Sequence, residues 1–311
     1  MDLLNDIFTQ ADLRRRILNQ RLIVEGLILR FPCDRSIGFH VVTRGEMYLY
    51  VEGQKQMIAI RKGDLVVMSR GQNHYLSASP KLTNKDLRTA ISLDEADRKP
   101  KGEVVATLVS GAYQLWNEPI HPLFSELPEV FILKNEELDS FDQIQSALNM
   151  LALETSKPQI GTEGIVQNLL DIIFAYLIRK IVEVHSHKSK TWSHAVSNEA
   201  VKKAIELLHQ DVQKNWTLDL LAKEVGLSRA GLAQKFKKHL GDTPLHYLTL
   251  IRMQKARALL SNTDSNIEKV AEAVGYGDAF SFSKVFKRIT GIPPRDFRTK
   301  DQSDKALAYR F

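Results

Sequence analysis

Apolar residues recur at helical spacing from Leu221-Ala222-Lys223-Glu224-Val225-Gly226-Leu227-Ser228 through Leu232 and Phe236 to Gly241 and Pro244. The same arrangement returns from Val270-Ala271-Glu272-Ala273-Val274-Gly275-Tyr276 through Phe282 and Phe286 to Gly291 and Pro294. Gly226 and Gly275 stand 49 residues apart, whereas Phe236 and Phe286, Gly241 and Gly291, and Pro244 and Pro294 stand 50 apart, so the second copy carries one extra residue in its turn. In each copy a small Ala (222 or 271) lets two helices cross closely, and the Gly four residues later can take the left-handed backbone of a sharp turn. Each copy therefore predicts a helix-turn-helix.

The second helix of each copy divides its residues between two faces. Leu232, Phe236 and Leu240 in one, and Phe282, Phe286 and Ile289 in the other, form a buried stripe, and Ser228 is placed to cap the first of these helices. Arg229, Ala230, Ala233, Gln234, Lys237 and Lys238 stay outside in the first copy, and Ala279, Ser281, Lys284, Lys287 and Arg288 in the second. Small and hydrogen-bonding side chains stand at the helix start with cations further along, as a helix needs if it reads base edges with one end and meets phosphates with the rest. Between the copies, Leu245 to about Leu260 carries Leu248, Ile251, Arg252, Ala256 and Leu259 at helical spacing after Pro244, which predicts a spacer helix.

The front half follows another pattern. Short runs of alternating or continuous apolar residues, Leu22 to Leu29, Gly38 to Thr43, Glu46 to Val51, Gln56 to Ile60, Asp64 to Met68 and Val104 to Val109, are separated by Gly45, Gly53, Gly63 and Gly71, which predicts a β-sandwich or small barrel. Ser79 to Gly102 is polar and reads as a long loop. Phe141 to Leu153 and Glu163 to Val184 then turn helical; the second is apolar over much of its circumference, which suits a helix with one face on the β-layer and the other on a second subunit. From His185 to about Asn198 the chain becomes polar, as a linker would. His185, His187 and His194 beside Lys188 and Lys190 fit that exposed stretch, and Trp216 before Thr217 fits a hydrophobic staple ahead of a capped helix.

Charge sharpens this picture. Residues 198–300 hold 18 Lys and Arg against 11 Asp and Glu, so the segment alone accounts for more than the whole chain's +6. Polyanion binding is the economical reason for cations concentrated on the duplicated helices. No run approaches the ~18 apolar residues that would span a bilayer. Acids among the first residues are unlike a signal peptide, and Cys33 is the single cysteine, so a cytoplasmic setting is expected.

On these residues two resemblances rest. Residues 198–300 resemble the DNA-binding domain of the arabinose-regulator (AraC/XylS) family, whose signature is matched by Ala271, Gly275-Tyr276, Phe282-Ser283, Phe286-Lys287, Gly291, Pro294 and Phe297-Arg298. That resemblance implies base-reading positions at Ala230, Ala233 and Gln234 and at Ala279, Ser281 and Lys284. Several are alanines, so thymine methyl contacts, phosphate clamping and DNA shape would supply more of the specificity. Upstream, Gly63-Asp64 through Gly71 to His74, with Ser69 where a Pro is usual, is similar to the second cupin motif, and Phe39-His40 through Gly45-Glu46 to Gly53 looks like a reduced first one. Ser110-Gly111-Ala112-Tyr113 and His121-Pro122-Leu123 through Leu127-Pro128 resemble the tail of the cupin-like sensory domain of such regulators.

The fold expected is thus α+β with two domains: a cupin-like β-barrel with flanking helices over residues 1–190, an all-α domain with two helix-turn-helix motifs joined by a linker helix over residues 198–300, and a tail over 301–311. The function expected is a sequence-specific transcriptional regulator of the AraC type, acting as an activator, with double-stranded DNA, RNA polymerase and a second copy of the chain as partners, no membrane and no cofactor. A small-molecule effector would meet His40, Glu46 and His74. Two other classes stay open at this point. A cupin enzyme would use His40, Glu46 and His74 as metal ligands, although Gly38 stands where a further early His would be. An architectural binder would grip DNA with no effector.

Overall fold

The computed structural model describes residues 3–10, 14–32, 36–54, 56–81, 87–89, 100–114, 121–125, 127–137, 143–185 and 192–308. They form two compact units, one of Arg14–Gln114 and Leu127–Ile181, the other of Met1–Leu13, Leu115–Glu126 and Val182–Phe311. This grouping differs from residues 1–190 as one continuous domain. Helix α1 (Leu3–Gln10) and the short α2 (Pro122–Ser125) come from the front of the sequence but pack with the helical unit. Cys33, His187, Lys188 and Lys190 lie outside the described residues.

Among the described residues, the β unit holds ten strands: β1 (Arg14–Val24), β2 (Ile28–Phe31), β3 (Ser36–Arg44), β4 (Glu46–Val51), β5 (Ile58–Arg61), β6 (Leu65–Met68), β7 (His74–Ser77), β8 (Leu87–Thr89), β9 (Val104–Gln114) and β10 (Val130–Leu133). Two five-stranded sheets result, in the orders β1-β9-β3-β6-β10 and β5-β4-β7-β2-β8. Ile23, Leu29, Val42, Met47, Leu49, Ile60, Val66, Leu76 and Leu108, drawn from both sheets, make one core. Burying each such side chain contributes roughly 1.5–3 kcal/mol.

The expected strand Leu22 to Leu29 is two strands, because the chain turns through Gly26 at positive φ and pairs β1 with β9 and β2 with β7. Within the stretch read as a loop, β8 adds a parallel edge to β2, with Leu87 opposite Ile28. Polar composition does not forbid that position, since an edge strand needs partners on one side only. Gly45 turns β3 into β4 at φ +78, where a Cβ would stand 2.1 Å from the Val105 carbonyl oxygen, so no other residue fits.

β3 is buried along nearly its whole length because it is covered on both faces. Val42 belongs to the core between the sheets. On the opposite face Phe39 and Tyr113 meet Phe174 of α4 (Thr162–His185), the Tyr113–Phe174 ring centroids lying 4.2 Å apart. α3 (Gln143–Ser156) packs on the same strand, and its Thr155 carbonyl accepts from Gln20 Nε2.

In the helical unit follow α5 (Trp192–Val196), α6 (Glu199–Gln210), α7 (Leu218–Glu224), α8 (Arg229–Leu240), α9 (Pro244–Asn262), α10 (Ile267–Ala273), α11 (Ala279–Thr290) and α12 (Pro294–Ala308). Part of the expected linker is therefore the packed helix α5, whose Trp192 and Ala195 are buried. The expected tail from 301 is mostly helical, as α12 runs on to Ala308 and buries Asp301. The spacer α9 has 19 residues with Pro244 in its first turn, giving a rod about 28 Å long.

Candidate DNA interface

Both second helices are built alike from their caps inward. Ser228 accepts from the Gly231 N–H to cap α8, and Asp278 accepts from the Ser281 N–H to cap α11. Both helices end four residues past a buried Phe, and the next residue caps them as a glycine in the left-handed region, Gly241 and Gly291. Counted from the caps, every position of α8 matches α11 at a separation of 50 residues, which places the extra residue, Gly277, in the second turn. Leu232 and Phe236, like Phe282 and Phe286, are fully buried. A second aromatic contact repeats as well. Phe236 meets Tyr247 edge-on at 5.8 Å and Phe286 meets Phe297 edge-on at 5.6 Å.

The expected contact residues are distributed over the outer faces as follows. Arg229, Ala230, Gln234, Lys237 and Lys238 on α8, and Ser281, Lys284, Lys287 and Arg288 on α11, are exposed, while Ala233 and Ala279 are half-buried. Arg229 lies 3.6 Å from Asp219 of α7, an exposed pair that leaves the guanidinium accessible. The sequence pattern passed over Phe280, the most exposed aromatic ring among the described residues. Aligning the caps Ser228 and Asp278 matches it to Ala230 and would have found it.

Two arginines hold the helix-turn-helix units to the spacer. Arg252 of α9 donates to the carbonyls of Val212 and Lys214, ahead of the first unit, and its guanidinium lies over the Tyr276 ring in the turn of the second. Arg298 of α12 donates to the carbonyls of Leu260 and Ser265, at the end of α9 and just beyond it. Forked guanidinium bonding to main-chain carbonyls fixes these elements geometrically.

Comparison with known proteins decides what such a pair of units belongs to. The family model described as cupin matches residues 2–183, and that described as helix-turn-helix domain matches residues 221–300. An AraC-like transcription regulator of Streptomyces lividans is 28% identical over 301 residues, covering 96% of this chain and 98% of that one. The chain belongs to the AraC family of transcription regulators, with an N-terminal cupin domain. It is a DNA-binding regulator and not an enzyme, in keeping with its relatives. The lactose operon transcription activator of Staphylococcus xylosus is 34% identical over 129 residues, covering 41% of this chain and 46% of that one. Among solved structures, the C-terminal domain of AraT, a response regulator from Geobacillus stearothermophilus, is 33% identical, covers 33% of this chain and 86% of that one, and has a TM-score of 0.33.

In the cupin domain of this AraC-family regulator, the structure brings together two of the three candidate ligand residues. His40 Nε2 lies 2.7 Å from His74 Nε2, His40 Nδ1 lies 2.8 Å from Ser110 Oγ, and His74 Nδ1 lies 2.9 Å from the Gln72 carbonyl. A carbonyl only accepts, so one proton arrangement serves all three contacts: His74 donates to Gln72, His40 donates to His74, and Ser110 donates to His40. The Phe31 ring stacks on His74 at 5.1 Å and meets His40 edge-on at 4.5 Å. Burial pushes the His74 pKa down to about 4, and burial, then the neighbouring His74 and Arg21, hold His40 well below the ordinary histidine value.

Glu46 is elsewhere. Its Oε1 accepts from Arg61 Nε at 2.9 Å at the rim of β4, and Val51, five residues on, is the residue paired with His74, so about 16 Å of strand separates them. No group of three His, Cys, Asp or Glu among the described residues is placed to hold a metal ion. Asp64 of the second cupin motif is structural, accepting from the Arg61 and Asn135 backbone N–H groups and from Lys134 Nζ.

In the helical unit the Tyr247 hydroxyl is a hub. His121 Nε2 lies 3.0 Å from it, His209 Nε2 2.9 Å, and Trp192 Nε1 donates at 3.3 Å. His209 Nδ1 continues to the Asp6 carboxylate of α1. The Leu123 N–H donates to His121 Nδ1, so His121 Nε2 carries the proton toward Tyr247 and Tyr247 donates to His209. Among the described residues, no helix is long and apolar enough to cross a membrane.

Proposed function

We propose that this AraC-family regulator sets α8 and α11 into successive major grooves on one face of promoter DNA. Ala230, Ala233 and Gln234, and Ala279, Ser281 and Lys284, would face base edges, while Arg229, Lys237, Lys238, Lys287 and Arg288 meet phosphates. The observation that carries this reading is the matched exposure of the two capped helices, with Ala230 and Gln234 of one and Ser281 and Lys284 of the other outside, ahead of cations in the last turn. Grooves facing the same way recur about every 34 Å, and the 19-residue α9 between the units is of suitable length. Retardation of promoter fragments by the purified chain tests it. Binding must be sequence-selective and must weaken steeply with salt.

The reading extends to a cytoplasmic homodimer that activates transcription through RNA polymerase. Dimerisation is supported by Ile165 and Ile172 of α4, one face apart by two turns and each 45% exposed, with Met150 and Leu153 of α3 also exposed. Activation is supported by the kinship with the lactose operon activator. Control by a small molecule would act at His40 and His74, a buried polar pair flanked by Ser110 and Arg21. An effector that binds one arrangement of that pair better than another would shift the population competent for DNA. Sedimentation of the wild-type chain against Ile172→Glu tests the dimer, and transcription in vitro from a bound promoter tests activation.

A further inference from the structure

Phe280 is 80% exposed and stands one residue inside α11, between the half-buried Ala279 and the exposed Ser281. It takes no part in the cluster that Phe282, Phe286 and Phe297 form on the opposite side of the helix with Met253, Leu260 and Val270. Lys284 and Lys287 follow at four and seven residues and are exposed too, so the phenyl ring shares a face with them at the helix's leading end. Its counterpart in the first unit is Ala230, and the two units thus present different apolar groups from one equivalent position.

We propose that Phe280 specifies a thymine in the half-site of the second helix-turn-helix by packing on that base's C5-methyl group. This rests on the DNA-binding reading and names what one residue does within it. A phenyl ring can neither donate nor accept a conventional hydrogen bond, so it cannot read the N7, O6, N4, N6 or O4 groups of the major groove. The thymine methyl is the apolar group displayed there. Setting the ring instead against a cytosine amino group or a guanine carbonyl would strip water from a polar edge without replacing its hydrogen bond. The ring therefore attracts one base and disfavours the others, and Lys287 behind it on the same face supplies a phosphate contact that holds it in register.

The test uses the full chain and a pool of duplexes randomised over about 25 base pairs, long enough for two successive grooves. Selection with the wild type is expected to enrich a motif with thymine fixed at one position. Phe280→Ala is expected to keep the rest of the motif and lose that preference, while Phe280→Leu keeps part of it. In a duplex of the selected sequence, replacing that thymine by deoxyuridine removes only the methyl. It is expected to weaken wild-type binding roughly fourfold to tenfold and to leave Phe280→Ala binding unchanged. An unaltered motif in Phe280→Ala, an equal loss of affinity for all duplexes, or indifference of the wild type to deoxyuridine overturns the proposal. Failure of the wild type to enrich any sequence overturns the base-reading assignment itself, and this proposal with it. Because the side chain is exposed, the thermal midpoints of the variants should match the wild type.

Discussion

Arg252 packs so closely on Gly275 that a Cβ there would lie 2.6 Å from its Nη2 and equally 2.6 Å from the Gln213 carbonyl oxygen. At the equivalent turn of the first unit, nothing lies within 4 Å of a Cβ built on Gly226. Both glycines have positive φ, +79 and +71. Alanine at either carries the left-handed penalty of about 1–2 kcal/mol. Gly275→Ala must in addition displace the guanidinium and a main-chain carbonyl. Urea denaturation is expected to rank Gly275→Ala clearly below Gly226→Ala in stability, and only the former should loosen the seat of the second unit on α9.

Tyr247 and Phe297 fill the same place in the two units, so the hydroxyl is what the first unit adds. Tyr247→Phe keeps the edge-on contact with Phe236 but leaves the ring nitrogens of His121 and His209 and the Trp192 indole without that partner. A loss of about 2–3 kcal/mol is expected in denaturant melts. The hub ties α1 and α2 to α5, α6 and α9, so faster proteolysis near the N-terminus should accompany it.

The histidine pair gives the cupin domain an acid limit. Burial lowers the folded pKa of His74 to about 4 and that of His40 well below its ordinary value, so below pH ~6.5 the unfolded chain binds protons that the folded one refuses. Stability therefore falls as pH drops, by about 1.4 kcal/mol per unit for each histidine that stays neutral. For His74 the loss ends near pH 4, with a total of order 3 kcal/mol. Urea midpoints followed by circular dichroism from pH 7.5 to 4.5 should show this decline, and His74→Gln should make it shallower.

Cations on the outer faces separate by role. Lys284→Ala should cost about 1–3 kcal/mol on the selected sequence and much less on unrelated DNA if the ammonium reads a base. Lys287→Ala should weaken binding to all sequences alike and reduce the salt slope by about one. Titrations at several salt concentrations distinguish the two.

Much of the helical region was legible because its determinants are local. In the first unit, a turn glycine, a cap at Ser228 and Leu232 with Phe236 four residues on specify a helix-turn-helix within about 25 residues. The strands were legible from alternation and glycine turns, apart from β8, whose parallel partner β2 is distant in sequence. Phe280 was missed for a local reason. Turn glycines spaced by 49 hide an equivalence that caps spaced by 50 make plain. Glu46 was misread for a nonlocal one, since its place beside His40 in sequence says nothing of Arg61, which claims it across the β4–β5 pair. The bonds of His121 to Tyr247 and of Asp6 to His209 span 126 and 203 residues, beyond any periodic signal.

The central claim is that two capped helices of one chain grip duplex DNA together. Hydroxyl-radical footprinting of the full-length chain on a selected duplex tests it most directly. The expected result is two protected patches per subunit, about 10 base pairs apart on one face, with the patch nearer the second unit lost in a Lys284→Ala and Lys287→Ala double variant. A single patch per subunit, unchanged by those substitutions, would contradict it.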